Sequence, residues 1–319
     1  MSTTMTAATP SIDDALEAAQ TKLAPIRELY PFRSQFIRQG ELHQHYLDEG
    51  PRDGTPLLFL HGNPTWSFFW RELVGGLSGE YRCIAPDHIG CGLSDKPQDW
   101  SYRLADHAEN VLRLVEQLDL CNVTLVVHDW GGAIGFAMAR RAPERIARVV
   151  VMNTAAFRAP KIPLRIAVCR TPLLGKLAVR GLNAFAKAAT VMTTVRPLSK
   201  AIKRGFLLPY DSWDTRIATH EFVEDIPIKP GHRSWDELVA TDEALASFTD
   251  RPMAIFWGEQ DWCFSPSFRA EWQRRFPEAR VHSYPDAGHY LIEDVGQDLL
   301  GKLRTFLSET NDDVAGSRP

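Results

Sequence analysis

An aspartate stands where a buried strand turns abruptly into a helix. Residues 125–135 read Leu-Val-Val-His-Asp-Trp-Gly-Gly-Ala-Ile-Gly, with Asp129 at the tightest point. The pattern is a nucleophile elbow in which the usual serine has become a carboxylate. A serine needs a base to take its proton, whereas a carboxylate is already ionised near neutral pH and suits attack on an electrophilic carbon. Gly131 and Gly132 fit a turn too crowded for a Cβ, while Val127 replaces the glycine that opens the serine form of the motif. Taken alone, Asp129 would serve equally well as a helix N-cap.

The elbow logic requires an acid and then a histidine later in the chain. Asp261 follows the apolar run 253–257 in Trp-Gly-Glu-Gln-Asp-Trp, and His289 follows the next run in Pro-Asp-Ala-Gly-His-Tyr. Glu259 and Asp286 are alternative acids. Asp261 is preferred because its loop runs several residues past the strand end and can lean over an imidazole. His43, His45, His88, His107, His220, His232 and His282 stand in helix, edge or surface contexts and read as structural. In the loop His61-Gly62-Asn63-Pro64, the backbone N–H of Asn63 is expected to join that of Trp130 in facing Asp129. The side chains of Asn63 and Trp130 are expected to donate outward to a departing halide or carboxylate. The alternative is a tight loop beside a core tryptophan.

These residues need a scaffold. Apolar runs at 57–60, 81–85, 125–127, 149–152, 253–257 and 281–284 are separated by helical patterns. Several are continuous rather than alternating, as in parallel strands covered on both faces, so the class is α/β with a doubly wound sheet. Residues 43–48 alternate and read as an antiparallel edge strand. Residues 157–248 are helical and interrupt the rhythm, as a cap inserted after the sixth strand. The expected organisation is an N-terminal arm over 1–29 (helical and amphipathic over 12–29), a first core part over 30–156, the cap, a second core part over 249–309, and a disordered tail over 310–319. The first ten residues are also expected to be unpacked.

Composition narrows the classes. The 319 residues are 44% hydrophobic and 24% charged, as in an ordinary globular protein. No signal-peptide pattern or ~18-residue apolar stretch is present, so the expectation is cytoplasmic. Five cysteines, Cys83, Cys91, Cys121, Cys169 and Cys263, are odd in number and lack CxxC spacing, which argues against a disulfide framework or a zinc site and for buried or neutral thiols. The net charge of −4 conceals an asymmetry: residues 158–205 hold eleven Lys or Arg and no Asp or Glu, where about six acids would fall on an even spread. This is either a solvated basic face or a docking face for an anionic partner, membrane surface or acyl substrate. Global basicity and aromatic interleaving are missing, so nucleic acid is not expected. The glycine-punctuated segment 87–97 lacks the Gly-Lys-Ser ending of a phosphate loop and reads as structural.

HGNPTWSFFW, DHIGCGLSDKP, VVHDWGGAIG and DAGHYLIED together resemble the haloalkane dehalogenase branch of the α/β-hydrolase fold, over residues 30–307. HDWG is shared with epoxide hydrolases, but Asn63 separates the two, since epoxide hydrolases usually carry an aromatic residue there. Asn153 stands where some members of the branch hold their acid. The cap is more telling: NTAAF, CRTPLLG, VRGLNAF, PYDSWDTRIA and FVEDIP resemble the cis-3-alkyl-4-alkyloxetan-2-one (β-lactone) decarboxylases of bacterial long-chain olefin biosynthesis. That resemblance implies decarboxylation of a cis-3,4-dialkyl β-lactone to a cis-alkene with Asp129 as nucleophile, His289 and Asp261 beside it, and Asn63 and Trp130 holding an anion. It implies no cofactor and no metal. Attack at the ring carbon and attack at the carbonyl are both open. A haloalkane dehalogenase is the alternative, and a non-catalytic ligand-binding module a further one. The expected substrate is hydrophobic, with long alkyl chains against the apolar stretches 164–168 and 182–195. The basic cap would meet other olefin-biosynthesis enzymes or a membrane surface peripherally.

Overall fold

The computed structural model describes residues 11–159, 163–171 and 173–311; the expectations for the first ten residues and for 312–319 lie outside them. Eight strands run in chain order: β1 Gln35–Gln39, β2 Leu42–Glu49, β3 Pro56–Leu60, β4 Arg82–Pro86, β5 Val123–Asp129, β6 Ile146–Thr154, β7 Met253–Gly258 and β8 Arg280–Tyr284. They form one sheet in the order β1-β2-β4-β3-β5-β6-β7-β8. Strands β3 to β8 pair in parallel, and β2 joins β1 and β4 antiparallel. Every residue of β3 and β5 is buried, because helices cover both faces and an exposed polar side chain has no place there. The doubly wound α/β class read from the sequence is the observed one.

The alternating segment 43–48 is not an edge. It lies inside β2, between β1 and β4, and β1 is the edge strand. Its polar residues are buried: His45 Nδ1 lies 2.8 Å from Asp87 Oδ2, and Gln44 Nε2 donates to Asp87 O at 3.2 Å. Polar alternation here marks a satisfied network rather than solvent. Asp87 also accepts from the backbone N–H of Ser67 and Leu93, so segment 87–97 is folded around a buried carboxylate.

Four helices precede or interleave the first strands: α1 Ile12–Leu23, α2 Arg71–Leu77, α3 Leu104–Gln117 and α4 Trp130–Ala139. Ser11 and Asp14 close a capping box on α1. The helix stops before Pro25, leaving a single 3-10 turn, Ala24–Ile26, where a helix to residue 29 was expected. Among the described residues six helices lie between β6 and β7: α5 Leu164–Cys169, α6 Leu174–Lys176, α7 Ala184–Met192, α8 Lys200–Leu207, α9 Ile217–Glu224 and α10 Trp235–Ala244, with a π-turn at Leu177–Gly181. Two more complete the chain, α11 Pro266–Arg275 and α12 Leu291–Glu309. The expected disordered tail begins packed: Thr310 is buried, and the Arg148 guanidinium donates to Thr310 Oγ1 and Asn311 Oδ1.

Candidate active site

The turn from β5 to α4 forces Asp129 into φ 51°, ψ −126°, a sparsely populated conformation that costs of order 1–3 kcal/mol and persists only when its surroundings impose it. They do. Thr154 Oγ1 at the end of β6 donates to Asp129 O at 2.5 Å. A Cβ on Gly131 would stand 2.0 Å from Leu60 O, and one on Gly132 1.9 Å from Thr154 Oγ1. The glycines therefore let β3, β5 and β6 close on the turn, which lifts the carboxylate off the C-terminal edge of the sheet.

The loop after β3 supplies one side of its cradle. The Asn63 N–H donates to Asp129 Oδ1 at 2.7 Å, and the Trp130 N–H also bonds the carboxylate. The second oxygen, Oδ2, faces His289 Nε2 at 3.6 Å. His289 Nδ1 in turn lies 2.7 Å from Asp261 Oδ2. Asp261 is itself held on three sides: Asn153 Nδ2 donates to Oδ2 at 2.9 Å, and the Cys263 N–H donates to Oδ1 at 2.6 Å. The alternative acids lie elsewhere. Glu259 pairs with Arg269 at 2.7 Å, and Asp286 is exposed.

Burial pushes the Asp129 carboxyl above its ordinary value, a shift only partly offset by His289 and by the two backbone N–H groups. Burial would lower the His289 pKa, but the Asp261 carboxylate and its hydrogen bond, aided by Asp129, outweigh it and leave the imidazole above its ordinary value. The arrangement stores a carboxylate in a dry site beside an imidazole that favours its protonated form.

The donors differ from expectation at one atom. The Asn63 amide does not point wholly toward the cavity: Nδ2 donates to the carbonyl of Thr219 in α9 at 3.1 Å. Its second N–H has no protein acceptor among the described residues. Trp130 is half-buried, lines the cavity and packs on Phe222 with ring centroids 5.2 Å apart.

His128 was not singled out in the sequence. Its Nε2–H donates to the His289 carbonyl at 2.9 Å while the ring stacks on Phe69 at 4.4 Å, so it fixes the backbone that carries the imidazole. Adjacency to Asp129 on a fully buried strand was the available signal. Asp294 acts on the same loop, accepting from the N–H groups of Gly288, Val195 and Arg196.

Asp129, Asn63, Trp130 and His289 line one cavity of about 620 Å³, whose remaining wall is apolar and includes Ile166, Phe185, Ala189, Val223 and Leu238. The helices over 164–168 and 182–195 contribute less bulk than expected. Leu164 and Leu182 point to solvent, at 79% and 65% exposure, and the apolar side chains of these stretches that line the cavity are Ile166, Val168, Phe185, Met192 and alanines.

The model of the α/β hydrolase fold family matches residues 55–294. The chain is 43% identical to the cis-3-alkyl-4-alkyloxetan-2-one decarboxylase of Shewanella oneidensis over 289 residues, covering 88% of this chain and 90% of that protein. It is 44% identical to the protein of the same name from Xanthomonas campestris pv. campestris over 282 residues, 85% of this chain and 94% of the other. Among solved structures, the haloalkane dehalogenase DbeA of Bradyrhizobium elkani superposes with a TM-score of 0.79 at 28% identity, over 86% of this chain and 99% of that one. The chain belongs to the α/β-hydrolase fold family and, within it, to the cis-3-alkyl-4-alkyloxetan-2-one decarboxylases, with haloalkane dehalogenases as more distant kin.

Proposed function

We propose that the protein decarboxylates a cis-3,4-dialkyl β-lactone to a long-chain cis-alkene and carbon dioxide, with Asp129 as nucleophile. The observation that carries this reading is a carboxylate with one oxygen bound by the Asn63 N–H and the other facing His289, at the polar end of an apolar cavity, in a chain whose 43–44% identical relatives bear that decarboxylase name.

Oδ2 of Asp129 attacks the ring carbon that bears oxygen, with inversion. The C–O bond of the lactone breaks and its electron pair leaves on the substrate carboxylate, which the Asn63 amide and the Trp130 indole hold. The C–C bond from that carboxylate to the neighbouring carbon then breaks. Its pair forms the alkene, the bond to Asp129 breaks, carbon dioxide departs and the Asp129 carboxylate is restored. Inversion followed by anti elimination is a net syn loss, which gives the cis alkene. Attack at the carbonyl would leave a hydroxyl on the chain whose departure needs protonation, whereas ring-carbon attack makes every leaving group a carboxylate. No water enters the product, so His289, oriented by Asp261, acts electrostatically on the carboxylate it faces.

Residues 157–248 are the cap of this reading, and long alkyl chains occupy the cavity beneath it. Five free thiols, one of them the exposed Cys121, support a reducing, cytoplasmic location. No helix among the described residues is long and apolar enough to cross a membrane. The basic cap is the face for a membrane surface or for other enzymes of olefin biosynthesis.

The test incubates the protein and its Asp129→Ala variant with a long-chain cis-3,4-dialkyl β-lactone and resolves products by gas chromatography with mass detection. A cis alkene from the unsubstituted protein alone supports the reading. Unchanged lactone, with halide released from a 1-bromoalkane in parallel, returns the chain to dehalogenation.

A further inference from the structure

We propose that the outer face of helices α5 to α7 is a bilayer-docking surface that seats on anionic lipid and delivers substrate laterally into the cavity. The proposal rests on the decarboxylase reading for the identity of the substrate, but not for the surface itself.

Every large apolar side chain exposed among the described residues falls between Leu164 and Trp213. Leu173 is 83% exposed, Leu164 79% and Leu174 70%, with Val191 and Leu182 close behind. Isolated exposed apolar residues are ordinary, but their confinement to one part of a chain is not. Helices α5 and α6, the π-turn and α7 pack each against the next, so these side chains share one region of surface.

The same region is strongly positive. Residues 158–205 hold eleven Lys or Arg and no acid. Among the described residues, the ion pairs of this segment use only Arg158 and Arg180. Arg165, Lys176, Lys187, Arg196, Lys200 and Arg204 are exposed and have no carboxylate partner there. Protruding leucines among unpaired cations match an anionic membrane interface, in which the apolar side chains enter the acyl boundary and the cations meet headgroups. A protein partner would need its own apolar and acidic counterpart; a phosphatidylglycerol-rich bilayer supplies both.

The cavity opens within this patch. Val168 and Met192 are 61% and 38% exposed, yet both line the cavity that reaches Asp129, and Arg165 stands at the same rim, stacked over Trp262 at 5.2 Å. A lipid-like molecule leaving the bilayer at this rim passes from acyl chains to an apolar wall without crossing water. The mouth and the docking face are one structure.

Vesicle flotation tests this. The full chain should float with phosphatidylglycerol-rich vesicles, ignore pure phosphatidylcholine, and be released by salt. Lys176→Ala should weaken binding roughly fivefold, and the double variant Leu173→Ser/Leu177→Ser roughly tenfold or more. None of these three residues lines the cavity. Turnover is read in parallel on lactone dissolved in vesicles and on lactone carried by cyclodextrin, and the double variant should slow only the first. The proposal is overturned if the full chain ignores anionic vesicles, which would leave the face for a protein, if the variants float as it does, or if the double variant loses turnover in both presentations. Flotation without alkene in either presentation would instead sink the decarboxylase reading and leave the docking surface standing.

Discussion

Gly62→Ala moves the nucleophile with a single methyl group. A Cβ at position 62 would stand 2.0 Å from Asp129 Oδ1, 2.3 Å from its Cβ and 2.5 Å from its Cγ, where ordinary contact begins near 3.4 Å. Rotating the carboxylate cannot relieve all three, so the side chain must retreat by more than 1 Å and lose its 2.7 Å bond from the Asn63 N–H. A displacement of about 1 Å from attack geometry costs roughly 10²-fold in rate. Overpacking should cost about 1–3 kcal/mol of stability, a fall in Tm of about 2–4 °C for each kcal/mol in a chain approaching this size. Gly75→Ala is the control, since its Cβ would meet only Phe32 Cζ at 3.9 Å and the change in a helix interior should be neutral or stabilising by about 0.5–1 kcal/mol. The assay is cis-alkene formation under saturating lactone, with thermal unfolding followed by circular dichroism. A folded Gly62→Ala protein with kcat within about threefold of the parent would refute the placement of Asp129 as the attacking group.

Replacing His289 by Ala should spare much of the alkene formation, because elimination needs no activated water; near-complete loss in a folded protein would count against ring-carbon attack. The same variant given a 1-bromoalkane should show no alkyl ester on Asp129 by mass spectrometry, and a trapped ester would mark dehalogenase chemistry. Because Asp129 must be ionised and its pKa is raised, kcat/KM should be full above that raised value and fall below it, with the acid limb above the ordinary carboxylate range. Asp261→Asn removes the group that raises the His289 pKa most, so the imidazole, followed by NMR, should titrate at lower pH; an unmoved titration would show that Asp261 does not set it. His128→Phe keeps the stack on Phe69 but leaves the His289 carbonyl without its donor, a cost of about 1–3 kcal/mol. It should lower kcat with little change in KM, whereas an unchanged kcat would show that the bond does not position His289.

The placement of Asp129 and His289 was legible because their signals are local: a strand, a strained turn and glycines within a few residues. The role of Asn153 was not. An amide cannot replace a carboxylate, but it can hold one, and its partner Asp261 lies 108 residues away. His128 was hidden for the same reason, since its bond to His289 spans 161 residues. Strand β1, Gln-Phe-Ile-Arg-Gln, is too short and polar to announce itself and exists because β2 offers it an edge. The stretches 164–168 and 182–195 do reach the cavity, but which of their side chains line it was not legible. With apolar side chains on both faces, spacing marks them as helices but does not say which face looks inward.

The bond from Asn63 to Thr219 means that the amide proposed to bind the anion is aimed by α9 rather than by the sheet that holds Asp129. A change in α9 that shifts the Thr219 carbonyl swings the amide, and the attacking carboxylate, tied to a backbone N–H, stays where it is. In the proposed mechanism one of the two anion donors is thus aimed by a different element from the one that carries the nucleophile. Selection can retune one without disturbing the other, and variation in a helix remote from the reacting bond becomes a means of adapting a single nucleophile to departing anions of different size.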